Sequence, residues 1–203
     1  MSRLYVYKIR YDDGTAPCVE GGLLSLALCK PAIRATAAVG DTIVAFAAKS
    51  MCRDQRLVFA AEVTAKIADG AYYRAAAWRH RRDAVYCWRG GAFERRRDAA
   101  IPISDADMQN DLGDAPSYRR ASVLLSDNYR YFADTRAADY RAGFPTLAAM
   151  IDKLGQGHRV HHGERVRDEI ERYLAALWNG ARSVEIDWTQ PDGNVSHPRR
   201  SGD

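Results

Sequence analysis

The sequence predicts an α+β fold: a curved, mostly antiparallel sheet or small β-barrel with flanking helices and a C-terminal amphipathic helix. Period-two hydrophobic runs fill the first half of the chain, and the period changes to about 3.6 after residue 145, so strands come first and helices pack late. No internal repeat interrupts this order. The 203 residues, 47% hydrophobic and 28% charged, suit one domain with a packed core. Residues 1–188 are assigned to that domain. Residues 189–203, polar with Pro, Gly and Arg, read as a flexible tail.

Residues 3–11 set Leu4, Val6 and Lys8 against Tyr5, Tyr7 and Ile9, which predicts a strand with at least one buried face. Asp12-Asp13-Gly14 turns the chain, and 17–22 continues as loop with two adjacent glycines. The apolar run 23–29 ends at Pro31, because proline drives the preceding residue out of the helical region. A strand, a loop and a helix over 31–38 are expected, proline being comfortable at a first helical position. Residues 42–48 and 57–66, rich in Val, Ile, Phe and Thr, predict adjacent strands, and alanine-rich 68–78 a short helix. Further short strands are expected at 85–88, 100–104, 123–126 and 129–133, with polar loops between them. Residues 145–154 form one helix. Residues 164–179 form another, with Val166, Ile170, Tyr173, Leu174 and Leu177 on one face and Gly180 at its C-cap. Val184, Ile186 and Trp188 alternate as a last strand.

The formal net charge is a modest +4, yet nearly all the positive charge is arginine, with Lys8, Lys30, Lys49, Lys66 and Lys153 the only lysines. The planar guanidinium matches phosphate oxygens and stacks on bases, so the bias is compatible with nucleic acid; a GC-rich coding sequence produces the same bias. No apolar stretch approaches the roughly 20 residues that span a membrane, and the N-terminus lacks a signal peptide's apolar core. A cytoplasmic protein without a membrane partner is expected. Cys18, Cys29, Cys52 and Cys87 show no CxxC spacing and read as reduced thiols, with neither structural zinc nor any cofactor implied.

Functional attention falls on residues 25–50, where Lys30 and Arg34 flank Pro31 at a break between two apolar runs and Gly40-Asp41 launches the second. Packing can fix such stems while their charged ends stay reachable. If Pro31 starts a helix, both cations flank an N-terminus whose free N–H groups favour an anion, and both should reach one concave pocket. Lys49 could add a phosphate contact, while Tyr131, Phe132 or Trp88 could stack on a base. The alternative is that the aromatics are core and the cations surface ion pairs.

Tyr11-Asp12-Asp13-Gly14-Thr15-Ala16-Pro17, Leu26-Ala27-Leu28-Cys29-Lys30-Pro31-Ala32-Ile33-Arg34 and the Gly40-Asp41 turn together resemble the second of the nucleotide modification associated domain families. Leu57 to Val63 and Leu124 to Phe132 also resemble it, so the similarity covers most of the chain, with Cys-Lys-Pro-x-Ile-Arg its distinctive segment. The resemblance implies a link to systems that modify or recognise nucleotides in DNA, and a strand order similar to PUA-like barrels, which bind RNA or modified bases. Cys18 departs from the family, which has a polar amide after Ala-Pro, and 45–48 is less glycine-rich. The expected ligand-binding set is Asp12, Lys30, Arg34, Lys49, Trp88, Asp127 and Tyr131.

Residues 79–98 interleave seven arginines with Tyr86, Trp88 and Phe93 around Gly90-Gly91. They either track a phosphate backbone or form a solvated face paired with Asp83, Glu94 and Asp98. His158, His161 and His162 lie in a glycine-flanked connection and read as loop rather than a metal set. No P-loop, dinucleotide fingerprint, nucleophile elbow or HExxH occurs. Cys29 beside Lys30 is either an activated thiolate or a buried strand-end cysteine. A module that binds a nucleotide or modified base in nucleic acid is the leading expectation. The alternatives are an enzyme using Cys29, Asp12 or Asp127, and a scaffold whose C-terminal helix docks a partner.

Overall fold

The computed structural model describes residues 2–101, 103–133 and 137–180. The chain runs β1 (Leu4–Ile9), β2 (Cys18–Glu20), β3 (Leu23–Leu26), α1 (Pro31–Thr36), β4 (Thr42–Ala47), β5 (Leu57–Glu62) and β6 (Ala65–Ile67). There follow α2 (Ala71–Arg74) with a 3-10 turn at Ala76–Trp78, β7 (Tyr86–Arg89), β8 (Ala92–Arg95), α3 (Asp105–Leu112), β9 (Val123–Ser126) and β10 (Asn128–Tyr131). The last elements are α4 (Pro145–Lys153), β11 (His158–Arg159) and α5 (Glu164–Asn179).

Two open sheets and a hairpin make up the β structure: β10-β5-β4-β1-β11, β2-β3-β9-β6 and β7-β8. All pairs are antiparallel except β1 with β4. The expected small barrel does not form, since neither sheet closes on itself. The chain instead changes sheets twice at one corner, between β5 and β6 and between β9 and β10, where the Asp127 N–H donates to Thr64 Oγ1 at 3.2 Å.

Alternation in β1 works on both faces because the first sheet is covered on both. Tyr5, Tyr7 and Ile9 join Ile33 of α1, Leu24 and Leu26 of β3 and Ile43 of β4 in one cluster. Val6 points the other way, joining Val44, Phe46 and Ala60 under Leu147 and Ile151 of α4 and Ile170 and Tyr173 of α5. The second sheet is covered likewise: Leu124 faces the first cluster, while Val123 and Leu125 pack on Tyr72, Tyr73, Tyr86, Phe93 and Tyr118. An interior this close-packed fixes the strand ends that frame the cavity described below.

Several elements differ from the sequence expectation. The helix expected at 68–78 breaks at Ala75, whose extended backbone separates α2 from the 3-10 turn. Of the strand expected at 100–104, the described residues 100, 101, 103 and 104 are not in a strand, and Ser104 leads into α3, an unexpected helix. Its start is a capping box, with Ser104 Oγ accepting from the Asp107 N–H and the Asp107 carboxylate accepting from the Ser104 N–H. Residues 57–66 divide into β5 and β6, which lie in different sheets. Gly180 caps α5 with extended backbone rather than the left-handed conformation of a typical C-cap glycine. The strand expected at 184–188 and the tail at 189–203 lie outside the described residues.

Candidate functional site

The C-terminal end of β1, the loop that follows it, the turn after β3 and the connection from α4 to β11 frame a cavity of about 440 Å³. Tyr7 forms part of its wall and Lys8, Arg10, Cys29, Lys30 and Asp111 line it. Two aspartates brace the loop 12–15. Asp12 accepts from the Gly14 N–H at 3.2 Å and from the Tyr131 hydroxyl at 2.5 Å, and Asp13 accepts from the N–H and hydroxyl of Thr15.

Cys29 and Lys30 are two successive non-glycine residues in the left-handed region, at φ 57° and 43°. Such conformations cost roughly 1–3 kcal/mol each and persist only where surrounding contacts enforce them. Here the Cys29 N–H is tied at 2.7 Å to Asp111 Oδ1, and Pro31 opens α1 immediately afterwards. The turn lays Lys30 Nζ over the Tyr7 ring, 4.8 Å from its centroid. Burial, with Arg10 adding to it, lowers the Lys30 pKa from the ordinary lysine value. None of Lys8, Arg10 or Lys30 has a carboxylate within 4.0 Å among the described residues.

Tyr7 is 0% exposed, and its hydroxyl has no hydrogen-bond partner among the described residues. Burial, with Cys29 and Asp12 nearby, raises its phenol pKa well above the usual tyrosine value, so it is a neutral donor and acceptor at the cavity wall. A buried hydroxyl without a partner is uncommon.

Arg34 does not reach the cavity. It is 0% exposed, and its five N–H donors meet five acceptors: the carbonyls of Cys29, Arg120, Ser122 and Asp111, and Asp111 Oδ1. No donor is left for a ligand, so Arg34 holds the wall from behind. The expectation that Lys30 and Arg34 reach one concave pocket from the start of α1 therefore fails, since Lys30 lines the cavity and Arg34 does not. Burial raises the Asp111 pKa above the ordinary aspartate range despite Arg34, the Cys29 N–H and the Tyr86 hydroxyl.

The remaining expected residues scatter. Tyr131 is buried and meets Asp12 behind the loop. Lys49 is exposed, 3.9 Å from Asp152. Asp127 is exposed at the corner between the sheets and does not line the cavity. Trp88 is on β7, 37% exposed, with the Arg74 guanidinium 4.2 Å over one ring face and Phe93 against it. Of the set, then, Lys30 lines the cavity, Asp12, Tyr131 and Arg34 support it, and Lys49, Trp88 and Asp127 stand apart.

Cys29 is a poor thiolate: burial among its neighbours, then the Asp111 carboxylate, push its thiol up to about 11 even though the residue reaches the surface. His158 packs against Tyr5 at 5.8 Å, while His162 Nε2 lies 3.0 Å from the Leu4 carbonyl oxygen. Among the described residues no group of three or more His, Cys, Asp or Glu side chains is placed to hold a metal ion, and no helix is long and apolar enough to cross a membrane. The sequence reading missed Tyr7, Arg10 and Asp111 as site residues. Tyr7 was legible only as one face of a strand, and Asp111 lies 82 residues from the N–H that it holds.

Fold and site together define an α+β domain with a cavity lined by an aromatic ring, the cations Lys8, Arg10 and Lys30 and the carboxylates Asp13, Asp107 and Asp111, in which the Tyr7 hydroxyl has no partner among the described residues. The chain belongs to the nucleotide modification associated domain 2 family, whose model matches residues 1–191. No curated protein and no solved structure matches the chain significantly.

Proposed function

We propose that residues 1–188 form a single binding module that takes up a nucleotide, or a nucleobase presented by nucleic acid, in the cavity at the end of β1. The carrying observation is the buried Tyr7 hydroxyl, which has no partner among the described residues, in a wall shared with Lys8, Arg10 and Lys30, which form no ion pair among the described residues. A base edge offers donors and acceptors to such a hydroxyl, and a phosphate offers charge to Lys30 and Arg10. The volume lies within the range of small-ligand sites. Family membership supports the same chemistry through its association with nucleotide modification.

Two competing readings have less support. Burial among its neighbours and the Asp111 carboxylate push the Cys29 thiol up to about 11, which disfavours a thiolate nucleophile, and Asp127 does not line the cavity. Ile170 and Tyr173 of α5 pack inward instead of presenting a docking face. Titration of mononucleotides, single- and double-stranded DNA and RNA, with and without modified bases, tests the module directly at low and moderate salt. Saturable, salt-sensitive binding is expected for at least one of them. Failure to bind any of them overturns the reading.

A further inference from the structure

The cavity at the end of β1 does not end at its own walls. Ile101 and Ile103 line it and also line a neighbouring recess, and that recess shares Arg95, Arg96 and Arg97 with a cleft of about 430 Å³ along the β7–β8 hairpin. The three recesses adjoin one another through these shared walls and are together called the trough.

Five arginines line the hairpin cleft, Arg79, Arg89, Arg95, Arg96 and Arg97, against two carboxylates, Glu94 and Asp98. They divide into two kinds. Arg95 is held 2.8 Å from Asp105 and Arg96 2.6 Å from Asp98, and Arg96 also donates to the Ala84 carbonyl. Arg79, Arg89 and Arg97 are exposed and have no ion pair among the described residues. The charge of the first two is met by neighbouring carboxylates, and the other three leave charge for an incoming anion. Trp88, partly exposed in the same cleft, adds an aromatic surface.

We propose that this trough carries the phosphodiester backbone of a polynucleotide strand, so that the nucleotide in the β1 cavity is read as one unit of a chain rather than as a free molecule. The inference rests on the function proposed above. A free nucleotide would use only the charge at the cavity mouth, whereas a strand presents a phosphate at every unit and needs cations along a line. Guanidinium groups pair with phosphate and carboxylate alike, and the aromatic ring beside them, on which a base can stack, is what favours a polynucleotide over an acidic peptide.

The test compares one nucleotide with strands of about 8 units of the same base, as single strand and as duplex, for the wild-type chain and for Arg79→Ala/Arg89→Ala/Arg97→Ala. Strands should bind at least about tenfold more tightly than the mononucleotide. The triple variant should lose that advantage, with the salt slope falling by about 2 for three single-strand phosphate contacts, while mononucleotide affinity stays unchanged. The single variant Arg89→Glu should weaken strand binding in the same direction. Equal wild-type affinity for strand and mononucleotide, an unaffected triple variant, or competition by polyglutamate as effective as that by the strand overturns the inference and leaves the cavity reading standing. No binding by any nucleotide or strand overturns both.

Discussion

Arg34 and Asp111 stand 77 residues apart in the chain, yet their buried side chains meet at 3.2 Å, and Arg34 also donates to Asp111's own carbonyl. This contact ties α1 to α3 behind the cavity. Removing one partner strands the other's charge in the interior, so Arg34→Ala should lower the unfolding free energy by about 3–5 kcal/mol. Arg34→Lys should rescue little, because three ammonium donors cannot serve five acceptors. Urea melts of the two variants decide it, and a loss below about 1 kcal/mol would contradict the clamp.

Tyr7→Phe separates ligand binding from folding. The hydroxyl has no partner among the described residues, so its removal should leave stability unchanged or raise it slightly. Nucleotide affinity should fall, by about 1 kcal/mol for a lost neutral hydrogen bond. Thermal melts and titrations on the same preparation read both effects, and a clear loss of stability would show that the hydroxyl already serves the fold.

Lys30→Gly removes a charge at a position whose φ of 43° suits glycine. Folding should be as stable as in the wild type or up to about 1 kcal/mol more so, since left-handed backbone is strained for lysine. Binding should weaken about tenfold or more if the ammonium meets a phosphate. Unchanged affinity would remove Lys30 from the site.

Cys29 should behave as an ordinary, slow thiol. With its pKa at about 11, the thiolate is a small fraction at neutral pH, and alkylation should accelerate roughly tenfold per unit as pH rises toward that value. Mass mapping of the iodoacetamide adduct at Cys29 between pH 7 and pH 10 follows this rise. A rate already on a plateau at pH 7 would instead mark an activated nucleophile and revive the enzyme reading.

What the sequence determined by itself is local. The alternation of β1, the short strand at 85–88 and the helix begun by Pro145 each depend on residues a few positions apart, and each lies close to where its pattern puts it. α3 was equally local, for Ser104 and Asp107 carry its start signal, but its helix has few apolar residues and no period to reveal it. Lys30 was legible as a cation at a chain break. Its neighbour four residues on was not legible as a clamp, because its carbonyl partners on Arg120 and Ser122 lie 86 and 88 residues away. The cavity likewise required Tyr7, Lys30, Ile103, Asp111 and Gly155 to converge. Only the tertiary structure decided that convergence, since the packing of two sheets across a corner relates strand ends that no spacing along the chain encodes.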